Sequence, residues 1–247
     1  ALRALAHMGS PESLPALRKA ATDPDPQVRD AAAAGLARLG DSAALDKIFA
    51  NLSSDDPAVR TKAVEVLAET GTAAVLEKIR PMAEDPVYQV RAAVMTALGA
   101  SGSPLVLAEL LKGTEDQNEL VRAKAVAALG RLGQPGAAQY LEDARKKAPN
   151  VYMELLAVAG LARLGEPIDN SAARRSLYQN DPDTKLLAVE VLEASAARAH
   201  EKGAAVEEKS ALEDLENALD DAEMKVRVRA AAGLVRRLQK APVRGGK

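Results

Sequence analysis

The 247-residue sequence has no cysteine and no tryptophan, and only one Phe, four Tyr and two His. Without cysteine there is no disulfide, no thiolate zinc site and no cysteine nucleophile. The two histidines, His7 and His200, stand nearly the whole chain apart. They make no zinc centre of the usual ligand set and no Ser-His-Asp arrangement. Charge of either sign is not in excess: 33 Lys and Arg face 35 Asp and Glu, so no bulk basic field draws the chain to nucleic acid. No apolar run approaches the roughly 20 residues that span a bilayer. Scarce aromatics mean that a core of this size is filled by Ala, Leu and Val, which suits helices stacked closely on one another.

What the chain does have is a period. Arg29, Arg60, Arg91 and Arg122 follow one another at a single constant interval, each after a Val, in the frames PQVRDAAAAGLARLG, PAVRTKAVEVLAETG, YQVRAAVMTALGASG and ELVRAKAVAALGRLG. A period of this size marks an array of two-helix units. Each second helix opens on an acidic, often proline-bearing turn (residues 23–26, 55–57, 85–86 and 181–183), whose carboxylates accept from the first free amides. Each closes on a glycine, at Gly40, Gly71, Gly102, Gly133 and Gly165, where a left-handed residue ends a helix. A shorter first helix precedes each turn, as at 12–21, 43–52 and 73–82.

The pattern then drifts. Glu154 takes the arginine place in the fifth copy, Lys185 in the sixth and Arg227 in the seventh, and the last of these intervals is wider than the regular period. About eleven residues are inserted near 196–209, either as a partner-contacting loop or as a longer second helix broken at Gly203. An orphan second helix (1–9, with Gly9 matching Gly40) precedes seven pairs, and its unmatched apolar face points to a longer parent protein. The organisation expected is one repeat domain over 1–247: a partial copy at 1–9, regular copies over 10–165 and divergent copies over 166–247.

The frame DPxxxVRxxAxxALxxLG, clearest from Asp23 to Gly133, resembles HEAT repeats of the short bacterial, phycobilisome-lyase type. That resemblance implies an all-α, right-handed, armadillo-like superhelix of about seven two-helix repeats. It also implies that Asp and Arg residues form a ladder along the inter-helix turns, linking neighbouring copies. The residues concerned are Asp23, Asp85, Asp116 and Asp221, each six before Arg29, Arg91, Arg122 and Arg227, together with Arg60. In such arrays the second helices line the concave face. Positions one and five after the landmark residue then point into the groove: polar or small at first (Asp30, Thr61, Glu65, Thr96), apolar later at Leu155, Ala159, Leu186 and Val228. Arg131 and Arg163, near the helix ends, would orient acidic groups of a partner.

These readings lead to a non-enzymatic, cytoplasmic scaffold or adaptor that binds another protein along that face, with no cofactor, catalytic residue or metal. Paired carboxylates such as Glu65 and Glu69 are common on solvated helices and carry no acid–base assignment. One rival is a tetrapyrrole-handling protein like the phycobilin lyases, against which Tyr88, Tyr140, Tyr152 and Tyr178 form no cluster. Another is a weak nucleic-acid binder resembling HEAT-like DNA glycosylases. There Arg38, Arg131, Arg163 and Arg236 form a column that Glu69 and Ala100 interrupt, and a basic tail includes Arg237, Lys240, Arg244 and Lys247.

Overall fold

A computed structural model describes residues 11–70 and 72–240. The protein packs as two compact units, 1–128 and 129–247, and all regular structure among the described residues is helical. In the first unit lie α1 (Leu14–Ala20), α2 (Pro26–Arg38), α3 (Ser42–Asn51), α4 (Pro57–Ala68), α5 (Ala73–Ile79), α6 (Tyr88–Ala100) and α7 (Leu107–Gly113). The division falls inside α8 (Glu119–Leu132). In the second unit follow α9 (Ala138–Lys146), α10 (Val151–Arg163), α11 (Ser171–Ser176), α12 (Pro182–Glu201), α13 (Ala205–Asn217) and α14 (Met224–Lys240). Odd-numbered helices are the first members of the pairs and even-numbered ones the second. Gly71, the segment 1–9 with His7 and Gly9, and the tail residues Arg244 and Lys247 lie outside the described residues.

Local chemistry sets the helix ends. The side chains of Asp25, Asp56 and Asp181 accept from the amides of Gln27, Ala58 and Thr184, with Pro26, Pro57 and Pro182 in the first turns. Asp41, Thr72 and Asn150 cap α3, α5 and α10 in the same way. At the other end, Gly40, Gly102, Gly133 and Gly165 all have φ between 64° and 76°, the left-handed region a Cβ disfavours. The insertion is not a loop. It is absorbed by α12, at 20 residues the longest helix described, and by α13, joined through Gly203 at φ 67°.

Cores are aliphatic and closely approached. In the first unit Leu67, Ile79, Val90, Met95, Leu98 and Leu110 are almost entirely buried. A Cβ on Gly99 would strike the Ala128 Cβ, so α6 and α8 meet almost backbone to backbone. The second unit has its own core, in which Leu155, Val158, Val189, Leu192, Leu215 and Val226 pack together. There Gly130 and Gly160 stand so near that a Cβ on Gly130 would lie 2.5 Å from the Gly160 Cα. Small residues at these crossings replace the rings the composition lacks.

Candidate interaction surface

Two residues of the arginine ladder, Arg60 and Arg91, use two arms each. Arg60 donates from Nη1 to the carbonyls of Ser54 and Asp55 in its own turn. Its Nε and Nη2 donate to Asp85 Oδ2 and Oδ1 in the next copy, at 2.7 and 2.9 Å. Arg91 repeats this, with Nη1 on the carbonyls of Asp85 and Pro86 and a two-point bond to Asp116 at 2.7 and 2.9 Å. The aspartate six residues before an arginine therefore gives that arginine its carbonyl, and gives its carboxylate to the arginine of the preceding copy.

Arg29 holds the carbonyls of Asp23 and Pro24, and Arg122 those of Asp116 and Gln117. At the matching place in the copy after each, where Asp85 and Asp116 serve Arg60 and Arg91, the sequence has Ser54 and Lys147, which carry no carboxylate. The Asp23 carboxylate accepts from the Asp25 amide. In the second unit Lys185 donates to Asp221 at 2.7 Å, and Arg227 holds the carbonyls of Asp221 and Ala222.

Electrostatics follow the geometry. The two-point bond from Arg91, opposed by burial and aided by the Asn118 amide, holds the Asp116 carboxyl below the usual carboxylate range. Burial works against ionisation of Asp85, but the Arg60 bond and the Val87 amide outweigh it, and its carboxyl also lies low. These charges are fixed by charge-assisted bonds and serve the turns.

The outward row of the second helices stands about one residue off the expected register. In the first unit, positions two before, two after, five after and nine after the landmark residue face outward, a helical 4-3-4 spacing, whereas in α10 the two-after and five-after residues, Leu156 and Ala159, are buried. In α4 the four are Ala58, Lys62, Glu65 and Glu69, all exposed. Position one turns instead toward the neighbouring copy. Ala92 and Ala123 are buried, and so is Leu155, at 0% exposure in the middle of the second core. Ala159 is 3% exposed, so neither residue offers a surface. For Leu155 the cause is one residue of phase, about 100° around a helix, in a stretch (VYMELLAVAGL) that is apolar nearly all round; Ala159 has the outward phase and is buried in the second core all the same. Leu186 is half-buried and packs against the same core.

Other expected contacts are at the surface. Arg131 and Arg163 are exposed, Arg163 pairing with Glu190 of the next copy. Val228 is 61% exposed. Sequence reasoning missed Tyr152, which lies two before the landmark in α10 at 37% exposure. Partial burial, with Asp183 and Asp181 nearby, pushes its phenol above the usual value. The two-before position is readable from the same periodicity once the phase is set.

Clefts are open and charged. An 810 Å³ cleft in the first unit is bordered by Arg80, Arg91, Lys112, Glu84, Glu109 and Asp116, and a 680 Å³ cleft in the second by Glu142, Arg145, Glu154 and Asp169. Neither has an aromatic lining residue. Among the described residues no group of His, Asp and Glu is placed to hold a metal, and no helix is long and apolar enough to cross a membrane.

A family model described as HEAT repeats matches residues 1–68, 45–116 and 76–162. No curated protein matches the sequence. The fold is similar to the complex of CpcE and CpcF of phycocyanin lyase from Nostoc sp. PCC7120 (TM-score 0.63, 18% identity, 93% of this chain and 90% of that one). It is also similar to an archaeal HEAT-like repeats protein from Thermococcus onnurineus NA1 (TM-score 0.50, 16% identity, 91% of this chain and 96% of that one).

Proposed function

Because the chain belongs to the HEAT-repeat family, we propose that it is a non-enzymatic scaffold whose second helices hold another protein on their outward row. The observation that carries this reading is the composition of that row in the second unit. Tyr152 stands part-exposed at one end of α10 and the Arg163 guanidinium at the other, with Arg131 also exposed at the end of α8. An amphipathic ring and guanidinium groups are the side chains that most often dominate protein interfaces. The ladder residues Arg60, Asp85, Arg91 and Asp116 are spent on the turns, and take no part in recognition. Leu155 and Ala159 support the row from inside the core.

A photo-crosslinking amino acid placed at Tyr152, with a second protein carrying it at Tyr140 on α9 as the reference, tests the surface in lysate of the source organism. The reading requires a discrete adduct from position 152 that position 140 does not give. It also requires that Arg131→Glu with Arg163→Glu removes the adduct while the helical circular dichroism is unchanged. Equal adducts from both positions, or adducts indifferent to the charge reversal, would refute it.

A further inference from the structure

Two positions of the second helix set α2 apart from the copies that follow it. Position four after the landmark residue is Val64, Met95, Val126, Val158 and Val189 in copies two to six, and all five are buried. In copy one it is Ala33, which is half-buried. Position one is uncharged in every later copy (Thr61, Ala92, Ala123, Leu155, Leu186 and Val228), whereas in copy one it is the exposed Asp30.

The small side chain opens a space. Where copy three meets copy four, Met95 fills the junction: a Cβ added to Gly113 of α7 would strike the Met95 sulfur and stand 2.9 Å from the Ala125 Cβ. Two regular periods earlier these three positions are Ala33, Asn51 and Ala63. There they line a groove of 360 Å³ bordered by α2, α3 and α4, together with the apolar Ile48, Val59 and Val66. That volume lies at the lower end of the range for ligand pockets, about 300–1,000 Å³. The groove belongs to one junction only, because Val64 occupies the equivalent place in copy two and is fully buried. An extended polypeptide would find no second such site one repeat along, so the space suits a small molecule.

Charge selects the kind of molecule. Asp30 on α2 and Asn51 on α3 border the groove, and neither side chain makes a hydrogen bond or ion pair among the described residues. Lys62 of α4 borders it too, but its ammonium lies 3.8 Å from Glu65, one turn along its own helix. The charge left without a counter-ion is the Asp30 carboxylate, and the Asn51 amide oxygen can accept a further N–H. An ammonium satisfies both groups, and an apolar body attached to it takes the aliphatic lining out of water.

We propose that this groove binds a small primary amine with an apolar body about the size of one aromatic ring. Its ammonium donates to Asp30 and Asn51, and its body fills the place that Met95 fills two copies later. Nothing in this assignment uses Tyr152, Arg131 or Arg163, so it holds or fails apart from the scaffold reading.

The chain has three isoleucines, which makes the test simple to read. Ile48 lines the groove, Ile79 is buried in the first unit, and Ile168 borders the acidic cleft of the second. With their δ1 methyls labelled, NMR titration of the full chain with phenethylamine should move the Ile48 signal saturably and leave Ile79 and Ile168 in place. The Kd should be on the order of millimolar for so small a ligand. Asp30→Asn should weaken binding about fivefold, as loss of an exposed ion pair does. Ala33→Met should abolish it and raise the urea midpoint, because the longer side chain fills the void. Hydrocinnamate, of similar size and opposite charge, should not bind. An Ile48 signal that stays still overturns the proposal. So does one that moves equally with hydrocinnamate, that still moves in Ala33→Met, or that keeps full affinity in Asp30→Asn. Equal shifts at Ile168 would mark a general attraction of amines to carboxylates. Tighter binding of N-acetyl-lysine methylamide would give the groove to a partner's lysine, and an Ile48 shift on dilution of the chain alone would give it to a second copy. Each of these three results refutes a small-amine site.

Discussion

Gly130→Ala tests whether close helix approach organises the second unit. By propensity alone the change should help, since Ala is favoured over Gly inside a helix by about 1 kcal/mol. The packing argues otherwise. A Cβ at position 130 would stand 2.5 Å from the Gly160 Cα and 3.4 Å from its backbone nitrogen. Carbon atoms rest about 3.5–4.0 Å apart, so α8 and α10 would have to part by about 1 Å. Backbone offers no rotamer to yield. Overpacking of this kind costs about 1–3 kcal/mol, leaving a net loss of about 1 kcal/mol after the propensity gain. Gly160→Ala is the comparison. Its Cβ would meet the tips of Leu141, both at 3.0 Å, and the Gly130 Cα at 3.2 Å. A leucine tip yields cheaply, so that variant should fall within about 0.5 kcal/mol of the parent. Urea unfolding followed by circular dichroism orders the three proteins by midpoint. If Gly130→Ala unfolds at the same or higher urea than Gly160→Ala, the close-approach argument is wrong.

Other outcomes follow from the same geometry. Leu155→Ala should cost about 2–5 kcal/mol and Val228→Ala under about 0.5, measured in the same urea series; equal costs would return Leu155 to the surface. Asp85 and Asp116 have folded pKa values below the unfolded one. Their stabilisation is therefore complete above the ordinary carboxylate range and lost as pH falls through the depressed folded values. Unfolding midpoints measured down the acid limb should drop less steeply in Asp116→Asn than in the parent. Gly165→Ala, at φ 76° with open space around it, should lose about 1–2 kcal/mol from backbone strain alone, seen as a lower thermal midpoint. Arg163→Ala should change the midpoint by the equivalent of less than about 1 kcal/mol, because its pair with Glu190 is solvent-exposed.

The fold is legible because caps and turns are local chemistry repeated at a fixed interval. Asp25, Pro26 and Gly40 specify their helix wherever it packs. The candidate surface is less legible, and phase is the reason. One residue separates the outward Lys62 from the half-turned Thr61, and in copies three, five and six Ala or Leu fills both places, as at Ala92 and Ala93 or Leu155 and Leu156. Copy five, with neither a landmark arginine nor a polar face, gives the periodicity nothing to anchor on, so Leu155 reads as surface although it is core. The ladder is half visible. Asp85 stands six before Arg91 and 25 after Arg60, and spacing alone does not say which arginine takes the carboxylate and which the carbonyl.

The two-armed arginine also bears on how such a chain changes length. Arg60 reaches six residues back and 25 forward, so its contacts fit entirely within one period on either side. An in-frame duplication or loss of one whole period between Arg60 and Arg91 would restore every bond with identical partners. Unequal recombination in this stretch would therefore be structurally silent. Across α12 and α13 the corresponding reach is 36 residues, from Lys185 to Asp221, and exchange of a regular period there would leave both groups stranded. The regular copies are free to multiply, while the divergent ones are held at the number they have.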